Sequence, residues 1–205
     1  MNGISIKNIQ GSNLEDVLEP GERLLWSGAP ASGQRFFQVV GDERFFHIGL
    51  LVGAAVMWSS VFFIEPETRF GLKTAYMVFG VMTFLFVVTS ICIVSARQFV
   101  LQNLVYFVTD NRALILRCGR NWRLGKRLYL VSCPHSATYP YRVIPSRPYP
   151  SLQVGTMFSE DQVQPFGLGL SHPGHPVLWD RVCPPITFDY VPNAQELLEL
   201  VQSGD

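Results

Sequence analysis

Two long stretches of this 205-residue sequence contain no Asp, Glu, Lys or Arg, namely residues 45–64 and residues 74–96. Charged residues make up 16 % of the chain, below the roughly 25 % that is usual in soluble domains. A helix over either stretch, rising about 1.5 Å per residue, is long enough to cross a hydrocarbon core of about 30 Å. A buried helix of a soluble protein would need a polar face or a larger protein around it. We therefore predict two transmembrane helices, over 45–64 and 74–96.

The connector between these stretches, residues 65–73, is too short for a domain and contains Pro66 and Gly71, which interrupt helices. The two helices must then run antiparallel, as a hairpin over residues 45–96 that leaves both termini on one side. More basic residues flank this hairpin than lie in its connector, so the positive-inside rule predicts that both termini are cytoplasmic. An acidic segment precedes the first stretch, which argues against a cleaved signal peptide.

Gly49 and Gly53 form a small-xxx-small pair in the first predicted helix. Small residues at this spacing let helix backbones approach closely, so this face is a candidate for helix packing. The contact is expected with the second predicted helix, and a partner helix is the alternative. The sequence leaves the oligomeric state open.

The sequence lacks the patterns of a disulfide framework, a metal site or an active site. Its four cysteines have no paired spacing, which favours a reducing compartment. Cys133 and Cys183, with the histidines at 135, 172 and 175, do not have the spacing of a zinc finger or ribbon. Gly167-Leu168-Gly169 lacks the third glycine of a dinucleotide-binding fingerprint, and no P-loop is present. We therefore predict no catalytic residues, no metal and no cofactor.

Short strand-like segments follow the second apolar stretch. Residues 104–109 and 112–117 are rich in β-branched, aromatic and aliphatic residues and flank the turn Asp110-Asn111, a pattern typical of a β-hairpin. A third strand is expected within 122–131 and a late one over 186–191, followed by an amphipathic helix that begins after Asn193. Five prolines within residues 133–150 exclude a central strand there, whereas 152–158 and 166–170 are candidate strands.

The first 44 residues carry three local signals. A capping box at 12–15 predicts a short helix, and residues 22–30 predict a short strand closed by a Gly/Pro turn. Phe36-Phe37-Gln38-Val39-Val40 is apolar and adjoins the first predicted helix, so it is expected near the membrane interface.

These features occur in a recognisable order. The sequence resembles bacterial membrane proteins that carry a PH-like domain beside a transmembrane pair. The matching residues are Gly21, Glu22, Leu24 to Trp26, Gly28 and Pro30, then Tyr106, Thr109, Asp110, Arg112 and Ala113 to Leu116. The resemblance implies an α+β membrane protein of the bacterial inner membrane, with a bent antiparallel sheet closed by one helix and no catalytic residues. Some of these proteins assist the assembly of membrane complexes, including photosynthetic ones.

Basic residues are concentrated at the start of the C-terminal region. Between Arg97 and Arg147 there are nine basic residues and one acid, Asp110. A basic face near the membrane would orient a domain on anionic lipid or bind a partner. The residues proposed for this face are Arg112, Arg117, Arg120, Arg123, Lys126 and Arg127. Few aromatic residues accompany them, which argues against nucleic acid as a partner.

The sequence therefore predicts a non-enzymatic inner-membrane protein with three parts: an N-terminal cytoplasmic segment at 1–44, a transmembrane hairpin at 45–96 and a PH-like cytoplasmic domain at 97–205. Its expected partners are membrane lipids and another protein, as in an assembly or accessory factor of a membrane complex. The alternative is a membrane-surface sensor that binds anionic lipid through the basic face.

Overall fold

The structure is a computed structural model that describes residues 5–9, 17–41, 43–64, 71–117, 120–121, 125–126, 128–156 and 185–202. Within these residues, three α-helices and ten strands form an α+β fold. The helices are α1 (Glu43–Ser59, followed by a 3-10 turn over Ser60–Phe63), α2 (Leu72–Gln102) and α3 (Ala194–Gln202). The strands are β1 (Ser5–Ile9), β2 (Leu24–Gly28), β3 (Leu104–Thr109), β4 (Arg112–Arg117), β5 (Arg120–Asn121), β6 (Gly125–Lys126), β7 (Leu128–Pro134), β8 (Arg142–Ile144), β9 (Ser151–Thr156) and β10 (Pro185–Phe188).

The two charge-free stretches form α1 and α2. Both helices are long and apolar enough to cross a membrane by length and composition, and almost none of their most apolar stretch is buried (0 % in α1, 6 % in α2). Helix α2 continues beyond the predicted end at residue 96, because its last turns pack into the β domain (the strands together with α3). There Val100 and Leu101 join the main core.

The first sheet has the strand order β1-β7-β4-β3-β2, and every pair is antiparallel. The predicted hairpin is present as β3 and β4, with Val108 opposite Ala113 beside the turn. Both faces of these strands are covered: Tyr106 and Ile115 belong to the main core, and Leu114 to a second cluster on the other face. This explains why β3 and β4 have apolar residues at consecutive positions instead of alternating ones.

The second sheet has the order β10-β9-β8, with α3 against β8 and β9. Phe188 in β10 stacks on Tyr106 of the first sheet, with ring centroids 4.7 Å apart, so the two sheets share the main core. Strand β8 lies within the proline-rich stretch but at the edge of its sheet, where missing amide donors are tolerated. The late strand ends at Phe188, and residues 189–190 form a turn, so it is shorter than predicted.

Strand β2 pairs with β3 although both apolar helices lie between them in the sequence. Strand β1 likewise forms the opposite edge of the same sheet. Strands β1 and β2 of the N-terminal segment therefore lie in the same sheet as β3, β4 and β7, and α1 and α2 are an insertion in the β2–β3 connection. The capping box at 12–15, the candidate strand at 166–170 and most of the connector lie outside the described residues. Residues 17–19, where the predicted short helix would end before Pro20, are described and are not helical.

Candidate functional site: the junction of the helices with the β domain

Arg97 is the centre of the junction between the helices and the β domain. It lies in α2 and is fully buried, as is Glu43, the first residue of α1. The Arg97 guanidinium Nη1 is 3.3 Å from Glu43 Oε2. The same guanidinium donates hydrogen bonds to three backbone carbonyls before α1: Nη2 to Arg35 (3.1 Å) and Phe36 (2.6 Å), and Nη1 to Gln38. One side chain thus holds the start of α1, the end of α2 and the loop between β2 and α1.

Burial removes the water that would hydrate both charges at a protein surface. A buried ion pair needs its counterion and further hydrogen bonds to offset the loss of hydration. Arg97 has both, whereas the Glu43 carboxylate has no hydrogen-bond partner among the described residues and depends on the Arg97 charge. His47 lies one turn along α1, with its Nδ1 2.8 Å from the Glu43 carbonyl oxygen. Nδ1–H is therefore the donor, and the ring is hydrogen-bonded to the first residue of the helix.

The loop between β2 and α1 also binds the second sheet and the end of α2. The Ala31 amide donates to the Tyr190 carbonyl (3.0 Å), and the Gly41 amide donates to the carbonyl of Arg147 (3.1 Å). Gln102 Nε2, at the last residue of α2, donates to the carbonyl oxygen at position 34 (2.7 Å). The loop is therefore fixed at both ends and in its middle.

Gly33 permits the close approach of this loop to α2. Its backbone has φ +83°, a conformation that side chains with a Cβ rarely adopt. A Cβ at this position would lie 2.3 Å from Leu101 Cδ1 and 3.2 Å from a methyl carbon of Val40, both of which are buried core residues. A larger residue would force the loop away from α2.

A second charged cluster lies at the ends of β2, β3 and β4 that are far from α1 and α2. Arg112 donates from Nε and Nη2 to the two carboxylate oxygens of Glu22, each at 2.7 Å, and Nη1 lies 3.1 Å from Glu19 Oε1. Thr109 Oγ1 donates a further hydrogen bond to Glu22 (2.7 Å). The hydrogen bond from Arg112 is the main reason that the pKa of Glu22 falls to about 2, and the same contact raises the pKa of Arg112. This cluster joins the segment before β2 to the β3–β4 hairpin.

The structure corrects the placement of two residues on the predicted basic face. Arg112 and Arg117 are buried, with 9 % and 3 % exposure, and Arg117 lies over the Phe99 ring at 6.0 Å. Neither guanidinium is exposed to solvent as a basic face would require, because each side chain is packed inside the β domain. Arg120 and Lys126 are paired in the backbone register of β5 and β6, while Arg123 and Arg127 lie outside the described residues. Lipid or partner binding by these last four residues stays a prediction.

The two glycines predicted for helix packing have different surroundings. A Cβ on Gly53 would lie 3.8 Å from the Phe86 ring of α2, whereas a Cβ on Gly49 would meet nothing within 4 Å. Further along, Trp58 Nε1 donates to Thr83 Oγ1 (2.8 Å). Gly53 therefore faces α2, and Gly49 is open.

The candidate metal ligands are only partly described. Cys133 is buried, which raises the pKa of its thiol to about 12, and His135 Nε2 is 2.9 Å from the Thr109 carbonyl oxygen. Within the described ranges, no group of three or more His, Cys, Asp or Glu residues could hold a metal ion. The residues at 172, 175 and 183 lie outside those ranges.

Sequence reasoning missed Glu43 and Arg97 as a pair. The available signal was their position: each is a charged residue close to one charge-free stretch, on the same side of the predicted antiparallel hairpin. Opposite charges at such matching positions are candidates for a contact.

Comparison with protein-family models, with curated proteins and with solved structures finds no match for this chain.

Proposed function

We propose that this chain is a non-enzymatic membrane protein in which a transmembrane hairpin holds a PH-like domain that binds another protein, as an assembly or accessory factor of a membrane complex. In this proposal the protein resides in the bacterial inner membrane with both termini cytoplasmic. The proposed function requires no catalytic residue and no cofactor.

The contacts between α1 and α2 support an antiparallel hairpin. Glu43 contacts Arg97, Gly53 faces Phe86, and Trp58 bonds Thr83, so contacts that advance along α1 retreat along α2. The remaining apolar surface supports insertion into a membrane. Side chains such as Leu51 (71 % exposed) and Phe84 (66 % exposed) are covered by no described part of the chain. A core helix of a soluble protein would have such residues buried.

The topology of the β domain supports a PH-like architecture. The strands β2, β3, β4 and β7 are consecutive neighbours in one antiparallel sheet, and β8, β9 and β10 are consecutive neighbours in the other. A single C-terminal helix, α3, then packs against the second sheet. The sequence resemblance implies one bent antiparallel sheet closed by one helix. Two antiparallel sheets that share one core and carry a single C-terminal helix support this proposal.

The observation that carries the functional proposal is the junction at Arg97. A flexible tether between a membrane anchor and a domain needs no buried ion pair and no ordered loop. Here two connections join the first sheet to the helices, one from β2 to α1 and one from α2 to β3. Arg97 links these two connections through its contacts with Glu43 and the 35–38 carbonyls. The β domain is thereby held in one position relative to the two helices that would anchor it in the membrane. Such a fixed platform suits the docking of a membrane protein partner, because binding to a pre-oriented surface loses less entropy.

The experiment is purification of the tagged full chain from its native membranes in mild detergent, with mass spectrometry of co-purifying proteins. We expect a stoichiometric partner with the natural sequence and with Lys73→Ala, which removes an exposed charge at the far end of α2. Arg97→Ala is expected to stay in the membrane fraction but to lose the partner. Absence of any stoichiometric partner would contradict the proposed function.

The same material tests the competing function, a sensor of anionic lipid. Charge reversal at Arg120, Arg123 and Arg127 should abolish preferential binding of anionic lipid to the purified full chain if these residues form a lipid site. Unchanged lipid selectivity in that variant, together with a stoichiometric protein partner, would support the platform and oppose the sensor.

A further inference from the structure

An exposed aromatic pair lies on the loop that Arg97 holds. Phe36 and Phe37 contact each other edge to face, with ring centroids 5.1 Å apart, and Phe37 is 91 % exposed. Val39 is also exposed, whereas Val40 is buried in the main core. Residues 35–39, here called the aromatic loop, therefore project apolar side chains away from a well-anchored backbone. Large exposed aromatic side chains on such a fixed loop mark an interaction site.

The contacts of Arg97 place the aromatic loop beside the first turn of α1. The carbonyl oxygens of Arg35 and Phe36 and the carboxylate of Glu43 all lie within hydrogen-bonding or ion-pair distance of one guanidinium. Phe45, two residues into α1, is 63 % exposed. The aromatic loop thus continues the apolar surface of the helices at the point where α1 begins.

The length of α1 indicates how deep in a membrane the start of the helix and the aromatic loop would lie. Residues 43–63 of α1 and its 3-10 turn rise by about 30 Å, which is close to the thickness of a hydrocarbon core. With α1 across the membrane, Glu43 lies at the boundary between acyl chains and headgroups. The aromatic loop lies at the same level, where apolar side chains enter the outer part of the acyl region and their backbone stays near water.

The charges around the aromatic loop match a lipid surface. In the described part of residues 30–48, the exposed charged side chains are Arg35 and Arg44, because Glu43 is buried with Arg97. The Arg44 guanidinium lies over the Phe45 ring at 5.3 Å, so cation and apolar ring occupy neighbouring positions. Basic residues among exposed aromatic ones at this depth are suited to the phosphates of anionic lipids.

We propose that the aromatic loop is a third membrane contact of this protein, in which Phe36 and Phe37 insert into the headgroup–acyl boundary while Arg35 and Arg44 bind lipid phosphates. The inference rests on the proposed insertion of α1 and α2. Two antiparallel helices leave a domain free to tilt about the line that joins them, and a contact beside that line removes this freedom. The aromatic loop would therefore fix the tilt of the β domain on the membrane.

The test places the photo-crosslinker p-benzoylphenylalanine at Phe37 in the full chain, reconstituted in vesicles of phosphatidylcholine with phosphatidylglycerol. The same residue at Phe84, in the middle of α2, is the control for lipid contact. At Asn111, which is exposed in the turn between β3 and β4 at the end of β3 far from α2, the same crosslinker is the control for a residue in water. We expect lipid adducts at Phe37 and Phe84, detected by mass spectrometry, and none at Asn111. We also expect a lower adduct yield at Phe37 when phosphatidylglycerol is replaced by phosphatidylcholine.

The controls separate failure of this inference from failure of the proposed function. Lipid adducts at Phe84 without adducts at Phe37 would overturn the inference and leave the hairpin intact. No adducts at either position would overturn membrane insertion itself. A protein adduct at Phe37 in native membranes, in place of a lipid adduct, would assign the aromatic loop to a protein partner and overturn the inference. A yield at Phe37 that is independent of phosphatidylglycerol would overturn the role given to Arg35 and Arg44.

Discussion

Substitution of Arg97 with Met is expected to destabilise the protein far more than the same substitution of Lys73, the other basic residue of α2. It leaves the fully buried Glu43 carboxylate without a counterion, and it leaves the carbonyls of Arg35, Phe36 and Gln38 without their donor. Removing one partner of a buried ion pair costs about 3–5 kcal/mol. For a chain of this size, 1 kcal/mol corresponds to about 2–4 °C, so the unfolding midpoint should fall by about 10 °C.

The substitution Glu43→Gln should cost less, about 1–3 kcal/mol, because Arg97 keeps its three carbonyl acceptors. The double variant should be no less stable than Arg97→Met alone, because it contains no uncompensated buried charge. A double-mutant cycle would then give a coupling free energy between the two side chains at least as large as the cost of Glu43→Gln, about 1–3 kcal/mol.

Cys133 offers a probe for this measurement. Its thiol is buried and free, and burial raises its pKa to about 12, so it reacts with an alkylating agent only when the β domain opens. Alkylation of the peptide that contains Cys133, followed by mass spectrometry during heating of the detergent-solubilised full chain, reports the midpoint. Lys73→Met is the matched control, since it removes an exposed charge from the opposite end of α2. If Arg97→Met and Lys73→Met have midpoints within about 1 °C of each other, a difference below about 0.5 kcal/mol, or if the cycle is additive, the junction does not stabilise this protein.

The same assay tests three further predictions. Glu22 contributes to stability above its unfolded pKa of 4.5, and this contribution is lost as the pH falls towards about 2; the loss should reach up to about 3 kcal/mol and should be absent in Glu22→Gln. Gly33→Ala should destabilise by about 1–3 kcal/mol more than Gly21→Ala, because both have positive φ but only Gly33 lacks space for a Cβ; equal effects would contradict this. Gly53→Leu should lower the midpoint more than Gly49→Leu, since only Gly53 faces α2, and the opposite order would mean that Gly49 binds a partner helix.

The elements that sequence reasoning predicted well are those that short stretches of sequence determine. The positions of α1 and α2 follow from the absence of charge, and the β3–β4 hairpin follows from β-branched and aromatic residues around Asp110-Asn111. Helix α3 follows from its apolar face and from Asn193, whose carbonyl accepts the Leu197 amide at 3.0 Å. Each of these signals is contained in a short stretch of sequence.

The remainder depends on contacts between distant parts of the chain. Strand β2 joins the sheet across the whole helical insertion, and the hydrogen bond between Arg112 and Glu22 connects residues 90 positions apart. Charge density alone placed Arg112 on an exposed face, because an arginine near the end of a strand is usually solvated. Its burial requires an acidic partner from another segment, and no local pattern specifies which acid that is.

The insertion of α1 and α2 between β2 and β3 has a mechanical consequence. Helix α1 follows β2 and helix α2 precedes β3, and these two strands are neighbours in one sheet. A change in the angle between the helices and the sheet must therefore either separate β2 from β3 or disturb the contacts of Arg97 with Glu43 and the 35–38 carbonyls. Both responses break buried polar contacts, so α1, α2 and the β domain should move together. Under the proposed function, a protein that binds either part would therefore determine the orientation of the other.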